Sequence, residues 1–343
     1  MKVDTAIPGS ESADPRTAAE AAEREGYDAV WMTEIRHDPL VQVALAATAT
    51  SSVHLGTSIA LAFARNPMSL AVGANDLQTI TKGRFLLGVG SQIRAHIVHR
   101  FAMPWSHPAP RMREYLAAMH AIWDAFEHGT RLSFRGDFYS HTLLPPFFNP
   151  GPNPWGRPPV YLAGVGEKMT EVAGEAADGF FVHAFTTERY LREVTVPALE
   201  RGFARRGARP EGFEISGMPF VATGRTEEEL AAACQGVRAQ IAFYGSTPAY
   251  RPVLELHGWP GLGEELHTLS VQNRWGEMSG LIDDDVLGAF AVVAEPDDVA
   301  AALTSRFGDL FTRASLYAPY DAGTDVHRRI AAELRGATAL GRP

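Results

Sequence analysis

The sequence predicts an α/β protein built as a (β/α)8 barrel, and three observations lead there. Short, almost uninterrupted apolar runs alternate with longer amphipathic ones, eight of the apolar runs can be placed along 343 residues, and Pro or Gly punctuates most junctions. Strands covered on both faces need such apolar continuity, whereas a sheet open to water on one side alternates residue by residue. Eight parallel strands in a chain of this length favour closure into a barrel. An open doubly wound sheet is the runner-up. It calls for Gly-x-Gly-x-x-Gly opening an early helix, and the first strand–helix junction lacks it.

Lys2–Ile7 is the first predicted strand, followed by a helix over Pro15–Glu25 that Gly26 ends. Asp28–Thr33 is the second strand and Pro39–Thr50 its helix; His54–Leu61 is the third, with Pro67–Thr81 after it. Lys82-Gly83 closes that helix and Arg84–Val89 makes the fourth strand. The rhythm resumes with strand Val160–Ala163, helix Lys168–Ala177, strand Gly179–His183 and helix Glu188–Arg206. Phe213–Ala222 is the seventh strand and Glu227–Phe243 a helix; Pro296–Arg306 is another helix, Ala314–Ala318 the last strand and Asp325–Leu334 the closing helix.

Two excursions interrupt the pattern, 91–159 after the fourth strand and 246–285 after the seventh. Loops this long carry function or build small elements of their own, and those that follow barrel strands lie on the catalytic face. Both are therefore expected to wall a pocket within one domain spanning 1–343. Their aromatic residues (Phe101, Trp105, Phe147, Phe148, Trp259 and Trp275) either line that pocket or pack the loops.

The formal charge of −9 argues against nucleic acid as a partner. The richest basic cluster, Arg201, Arg205, Arg206 and Arg209, falls at a predicted helix C-terminus, where cations complement the dipole. Cys234 is the only cysteine, which rules out an intrachain disulfide; its Ala-rich surroundings read as a buried position. No apolar run approaches a membrane span, and Met1–Ile7 reads as a strand rather than a signal peptide, so a cytoplasmic location is expected.

Three strand exits carry the chemistry. Glu34-Ile35-Arg36-His37-Asp38-Pro39 gathers carboxylates, a guanidinium and an imidazole at the second, where Asp38 before Pro39 also reads as a helix cap. Gly88-Val89-Gly90-Ser91-Gln92 ends the fourth, offering either a close backbone approach to a ligand or a tight turn. Ala163-Gly164-Val165-Gly166 ends the fifth and runs into a helix bearing Lys168 and Met169, an anion site in the making. The basic loop holding His96, His99, Arg100, His107, Arg111 and Arg113 lacks His-Glu-x-x-His spacing, so no metal site is expected there.

Together these pieces resemble the bacterial luciferase-like family, especially its F420-dependent branch. Leu77-Gln78-Thr79-Ile80-Thr81-Lys82-Gly83-Arg84-Phe85-Leu86-Leu87-Gly88-Val89-Gly90 is similar to the family's helix–Ser/Thr-x-Gly-Arg–strand signature. Gly56-Thr57-Ser58-Ile59, Arg65-Asn66-Pro67, Val160-Tyr161-Leu162-Ala163-Gly164 and Ala177-Asp178-Gly179-Phe180 follow in family order. The resemblance implies a barrel whose C-terminal face binds coenzyme F420, with FMN as the alternative, and a non-prolyl cis peptide at Ser58-Ile59 behind the ring. It places Glu34 beside the ring, Ser91, Gln92 and His96 around the cofactor side chain, and Gly164, Val165, Gly166, Lys168 and Met169 at its phosphate.

The implied activity is hydride transfer between F420 and a small organic substrate, with His37 moving the proton and Glu34 positioning the ring or His37. An FMNH2-dependent monooxygenase and a non-catalytic flavin-binding protein are the alternatives. A homodimer and an F420-reducing enzyme that recycles the cofactor are the implied partners. The branch that oxidises glucose 6-phosphate carries a His directly after the acidic residue and a Glu in the fourth-strand loop. Ile35 and Ile93 stand there in this chain, so that acid/base pair is not carried over.

Overall fold

The computed structural model describes residues 1–7, 14–321 and 323–340. Eight strands form one parallel ring: β1 (Lys2–Ile7), β2 (Ala29–Met32), β3 (His54–Thr57), β4 (Phe85–Gly90), β5 (Val160–Gly164), β6 (Gly179–Val182), β7 (Glu214–Gly217) and β8 (Arg313–Ser315). Each pairs with its sequence neighbour, and β8 returns to β1 through Lys2↔Arg313, Val3↔Ala314 and Asp4↔Ser315. The barrel is closed. Helices α1 (Pro15–Glu25), α2 (Pro39–Ala47) and α3 (Pro67–Ile80) begin at the predicted prolines, capped by the side chains of Asp14, Asp38 and Asn66. A cap acceptor followed by Pro satisfies one orphan amide and removes another, which makes such starts local and legible.

A buried ion network ties the sheet together inside. Arg313 on β8 makes a bidentate pair with Asp4 on β1 (2.6 and 2.9 Å) and reaches Glu214 on β7 at 2.6 Å. Trp31 Nε1 donates to the same Asp4 carboxylate at 2.9 Å, and Tyr161 donates to Glu214. A buried arginine is tolerable only when its donors are matched in this way.

Several predicted elements need correction. The strand expected over Phe213–Ala222 is broken, because Pro219 has no amide to give to the ladder. Phe220–Ala222 leaves the barrel and pairs in parallel with Ala291–Val293, a strand not foreseen. The stretch His54–Leu61 likewise divides, into β3 and the short strand Ala60–Leu61, with the cis peptide Ser58–Ile59 between them. Cys234 is half-buried rather than fully enclosed.

Both excursions build small elements of their own, one of the two outcomes expected of such long loops. The second is helical (Arg251–Leu256, Pro260–Val271, Trp275–Met278 and Asp284–Phe290) and packs with the helix Glu227–Gly245 into a second apolar core beyond β6 and β7. The first divides. Residues 91–107 stay at the strand exits, α4 (Pro108–His128) packs between α3 and α5 (Glu167–Ala176), and the chain then descends along α3. There Asn153 bonds to Asn75 and Thr79, and Trp155 covers Gly83 at the opposite end of the barrel. That last part walls no pocket on the catalytic face.

Candidate functional site

Four consecutive strand exits place the predicted residues along one arc of the barrel mouth. Glu34 follows β2, Ser58 follows β3, Ser91 and Gln92 follow β4, and Val165 and Gly166 follow β5. Register holds them side by side: Met32 pairs with Thr57, and Gly164 pairs with Val182 at the next exit.

Glu34 is almost fully enclosed. Its carboxylate accepts the backbone N–H of Leu61 at 2.8 Å and two hydrogen bonds from Arg65, at 2.9 and 2.7 Å. Arg65 spends its other amino group on Asp38 at 2.8 Å. Burial works against the guanidinium, but Glu34 and Asp38 hold its pKa above the ordinary arginine value. Asp38 therefore does more than cap α2: it accepts from Leu40 N at 2.8 Å and also completes this clamp. His37 stands apart, exposed at the rim with no hydrogen-bond partner among the described residues.

The glycines of β4 serve the neighbouring strand. A Cβ on Gly88 would lie 1.9 Å from the Thr57 carbonyl oxygen, and one on Gly90 would lie 2.1 Å from Ile59 Cδ1. Thr57 Oγ1 both donates to Gly88 O (2.7 Å) and accepts from Gly88 N (3.0 Å). Gly88 and Gly90 thus make room for the Thr57–Ile59 segment of the neighbouring strand exit. Gln92 adopts φ +59, Ser91 Oγ donates to its carbonyl, and its own Oε1 accepts from Ile93 N. His96 is exposed on the turn His96–Arg100, whose Arg100 reaches back to the Ile35 carbonyl at 2.8 Å. The β2 and β4 loops are thereby joined.

The α5 N-terminus suits an anion. Gly166 is its N-cap and supplies no side-chain cap, and the space around Gly166 is open. Glu167 is drawn away to Arg201 at 2.6 Å, while Lys168 is exposed and has no ion-pair partner among the described residues. Met169 packs over Gly164. Much of the basic cluster on the next helix is consumed internally: Arg201 and Arg205 pair with Glu171, and Arg206 donates to Ala177 O. In the basic loop, Arg111 is buried and stacks over Phe63 while bonding Tyr139, and Arg113 pairs with Glu175. Phe101 and Trp105 pack on the core, whereas Phe147 and Phe148 are exposed.

Sequence reasoning missed the other half of the mouth. His183 follows β6, and Tyr244, Tyr250 and Tyr317 gather around it or around one another. His183 and the Gly164–Val165 turn line the same small cavity. Burial pushes the His183 pKa down to about 4, so the ring is neutral at pH 7. Its place at a strand exit was the one available signal. A separate concavity of about 670 Å³, lined by Thr223, Arg225, Glu229 and Tyr320 among others, borders none of the predicted residues.

A model of the luciferase-like monooxygenase family matches residues 5–313. The chain belongs to this family. Among its relatives is an uncharacterised protein of Mycobacterium tuberculosis, 55% identical over 306 residues, covering 89% of this chain and 90% of the relative. A 5,10-methylenetetrahydromethanopterin reductase of Methanolobus tindarius is 27% identical over 287 residues, covering 82% and 83%. Among solved structures, the coenzyme F420 dependent tetrahydromethanopterin reductase from Methanopyrus kandleri superposes with a TM-score of 0.79 at 19% identity, covering 98% and 99%. That likeness shows the family's barrel. No helix among the described residues is long and apolar enough to cross a membrane.

Proposed function

We propose that this family member is an oxidoreductase that moves a hydride between coenzyme F420 and a small organic substrate. One observation carries the reading: an enclosed Glu34–Arg65–Asp38 clamp at the β2 and β3 exits shares the barrel mouth with an uncapped, lysine-bearing helix start at β5. An enclosed charged group at one end of the arc and an anion-ready helix start at the other match a cofactor with a flat ring and an anionic tail. A putative coenzyme F420-dependent oxidoreductase of Mycobacterium tuberculosis, 28% identical to this chain over 295 residues, supports a deazaflavin over a flavin.

When bound, F420 supplies the hydride chemistry. Gly164, Val165, Gly166, Lys168 and Met169 would hold its phosphate, and Ser58 and Ile59 would back the ring. Ser91, Gln92 and His96 would border the side chain. Glu34, committed to Arg65 and Leu61, positions the β3 exit and does not itself carry the proton. His37, exposed on the same loop, is the group available to donate or accept it. An F420-reducing enzyme would complete the cycle. A homodimer would be the working unit.

Titrating the purified protein with F420 and with FMN tests the cofactor. Binding of F420 with weaker or absent FMN binding is expected; tight FMN binding without F420 binding overturns the reading.

A further inference from the structure

The His183 side of the barrel mouth holds hydroxyl hydrogens that no described residue accepts. His183 Nδ1 accepts the backbone N–H of Phe185 at 3.0 Å. A ring nitrogen that accepts an N–H carries no hydrogen, so in the neutral imidazole the hydrogen sits on Nε2. That hydrogen points at Tyr250 Oη, 3.1 Å away, and the tyrosine oxygen is the acceptor. The Tyr250 hydroxyl hydrogen is then left without an acceptor among the described residues. Tyr244 and Tyr317 repeat the situation: their hydroxyls are 3.2 Å apart, one donates to the other, and the second hydrogen remains to be placed.

The walls between these donors are aromatic. The His183 ring lies 4.8 Å from Tyr244 and 4.6 Å from Tyr250, and Phe220 stacks on Tyr317 at 5.0 Å. Burial accounts for the whole fall in the His183 pKa, with no charged neighbour contributing, and burial and Tyr244 raise Tyr250 to about 12. Tyr244, Tyr250 and Tyr317 stay protonated across the physiological range. All three tyrosines keep part of their surface open. A half-buried O–H in an aromatic wall seeks an acceptor, and no charged group acts on the His183 ring beside it.

We propose that His183, Tyr244, Tyr250 and Tyr317 form the substrate subsite, and that it takes a neutral molecule with an accepting oxygen, such as a ketone, aldehyde or alcohol. His183 is a positioning residue, fixing the direction in which Tyr250 donates. The assignment rests on the F420 reading only for what happens next: His183 follows β6, which pairs with β5 up to Gly164↔Val182, so the subsite neighbours the Gly164–Val165 end of the cofactor arc.

The test uses acetophenone and 4-acetylbenzoate, the same ketone without and with a carboxylate, with binding read by saturation-transfer NMR on the F420-loaded and the cofactor-free protein. Acetophenone should bind and 4-acetylbenzoate should not. Tyr250→Phe, which removes a single oxygen, should weaken acetophenone by about tenfold, the worth of one hydrogen bond left unmade. His183→Leu should weaken it similarly, and His183→Gln, which retains an acceptor and a donor, should restore it. Equal binding of the two ketones, or unchanged binding in Tyr250→Phe, overturns the proposal. Failure of the wild-type protein to bind F420 would instead sink the cofactor reading, and acetophenone binding to the cofactor-free protein would still decide the subsite.

Discussion

Glu34, two residues past β2, accepts the backbone N–H of Leu61 at 2.8 Å, so a single carboxylate fastens the second strand's exit to the third's. Arg65 locks that carboxylate from the other side at 2.7 Å, with side-chain exposures of only 17% and 8%. Glu34→Gln keeps an acceptor for Leu61 but loses the charge that Arg65 pairs with. Stability should fall by about 1.5–3 kcal/mol, as for a charge-assisted hydrogen bond. Asp38→Asn should cost less than about 1 kcal/mol, since Asp38 is 46% exposed and water screens its pair. Urea midpoints of the two variants check the order. Equal losses would mean that the clamp is not centred on Glu34.

Lys168 is the cation at the open helix start. Lys168→Ala should weaken F420 binding on the order of tenfold at low salt, with the difference shrinking as ionic strength rises. Fluorescence titrations of F420 at two salt concentrations read this directly. If affinity is insensitive to the substitution, the cofactor's anionic tail lies elsewhere.

His37 separates binding from turnover. His37→Ala should leave F420 affinity unchanged, because the ring makes no bond to the clamp, and should abolish most turnover once a substrate is in hand. Stopped-flow oxidation or reduction of the bound cofactor is the readout. Unchanged turnover removes His37 from the proton path.

What the sequence showed and what it hid follow from the range of each interaction. Asp14-Pro15, Asp38-Pro39 and Asn66-Pro67 announce their helices because cap and proline act within one turn. The pairing of Phe220–Ala222 with Ala291–Val293 was invisible, since three residues carry no period and the partner lies far along the chain. The same holds at the site. Glu34 and the lysine-bearing turn stood at predicted strand exits, and the family likeness added Ser58–Ile59. Arg65 sat in a quoted motif with no hint of its partner. His183, Tyr244, Tyr250 and Tyr317 meet only after the barrel closes and the second excursion folds over it.

The interior network sets the response to acid. Burial alone would raise the Glu214 carboxyl, but Arg313, Lys2 and Tyr161 outweigh it and draw its pKa down from 4.5 to about 2. A depressed carboxylate contributes stability that is complete above its ordinary pKa and disappears as pH falls through the folded value. The stability that Glu214 contributes should therefore be lost between about pH 4.5 and pH 2. Glu214→Gln should be less stable at pH 7 and flatter across that window. A variant with the same acid slope as the parent would assign acid sensitivity to other groups.

The two glycines of β4 make unequal demands, because the atoms they face differ in freedom. At Gly88 an added methyl would meet the Thr57 carbonyl oxygen at 1.9 Å, and that oxygen belongs to strand backbone held by the Thr57–Gly88 hydrogen bonds. At Gly90 it would meet the terminal Cδ1 of Ile59 at 2.1 Å, which a side-chain rotation can clear. Gly90→Ala should cost about 1–3 kcal/mol, the usual range for overpacking. Gly88→Ala should exceed that and lower the yield of folded protein, since β3 must part from β4 to admit it. Thermal unfolding of Gly90→Ala, with and without Ile59→Val to relieve the contact, isolates the cause. Recovery in the double variant would show that Gly90 is kept for Ile59, and no recovery would return it to the ligand.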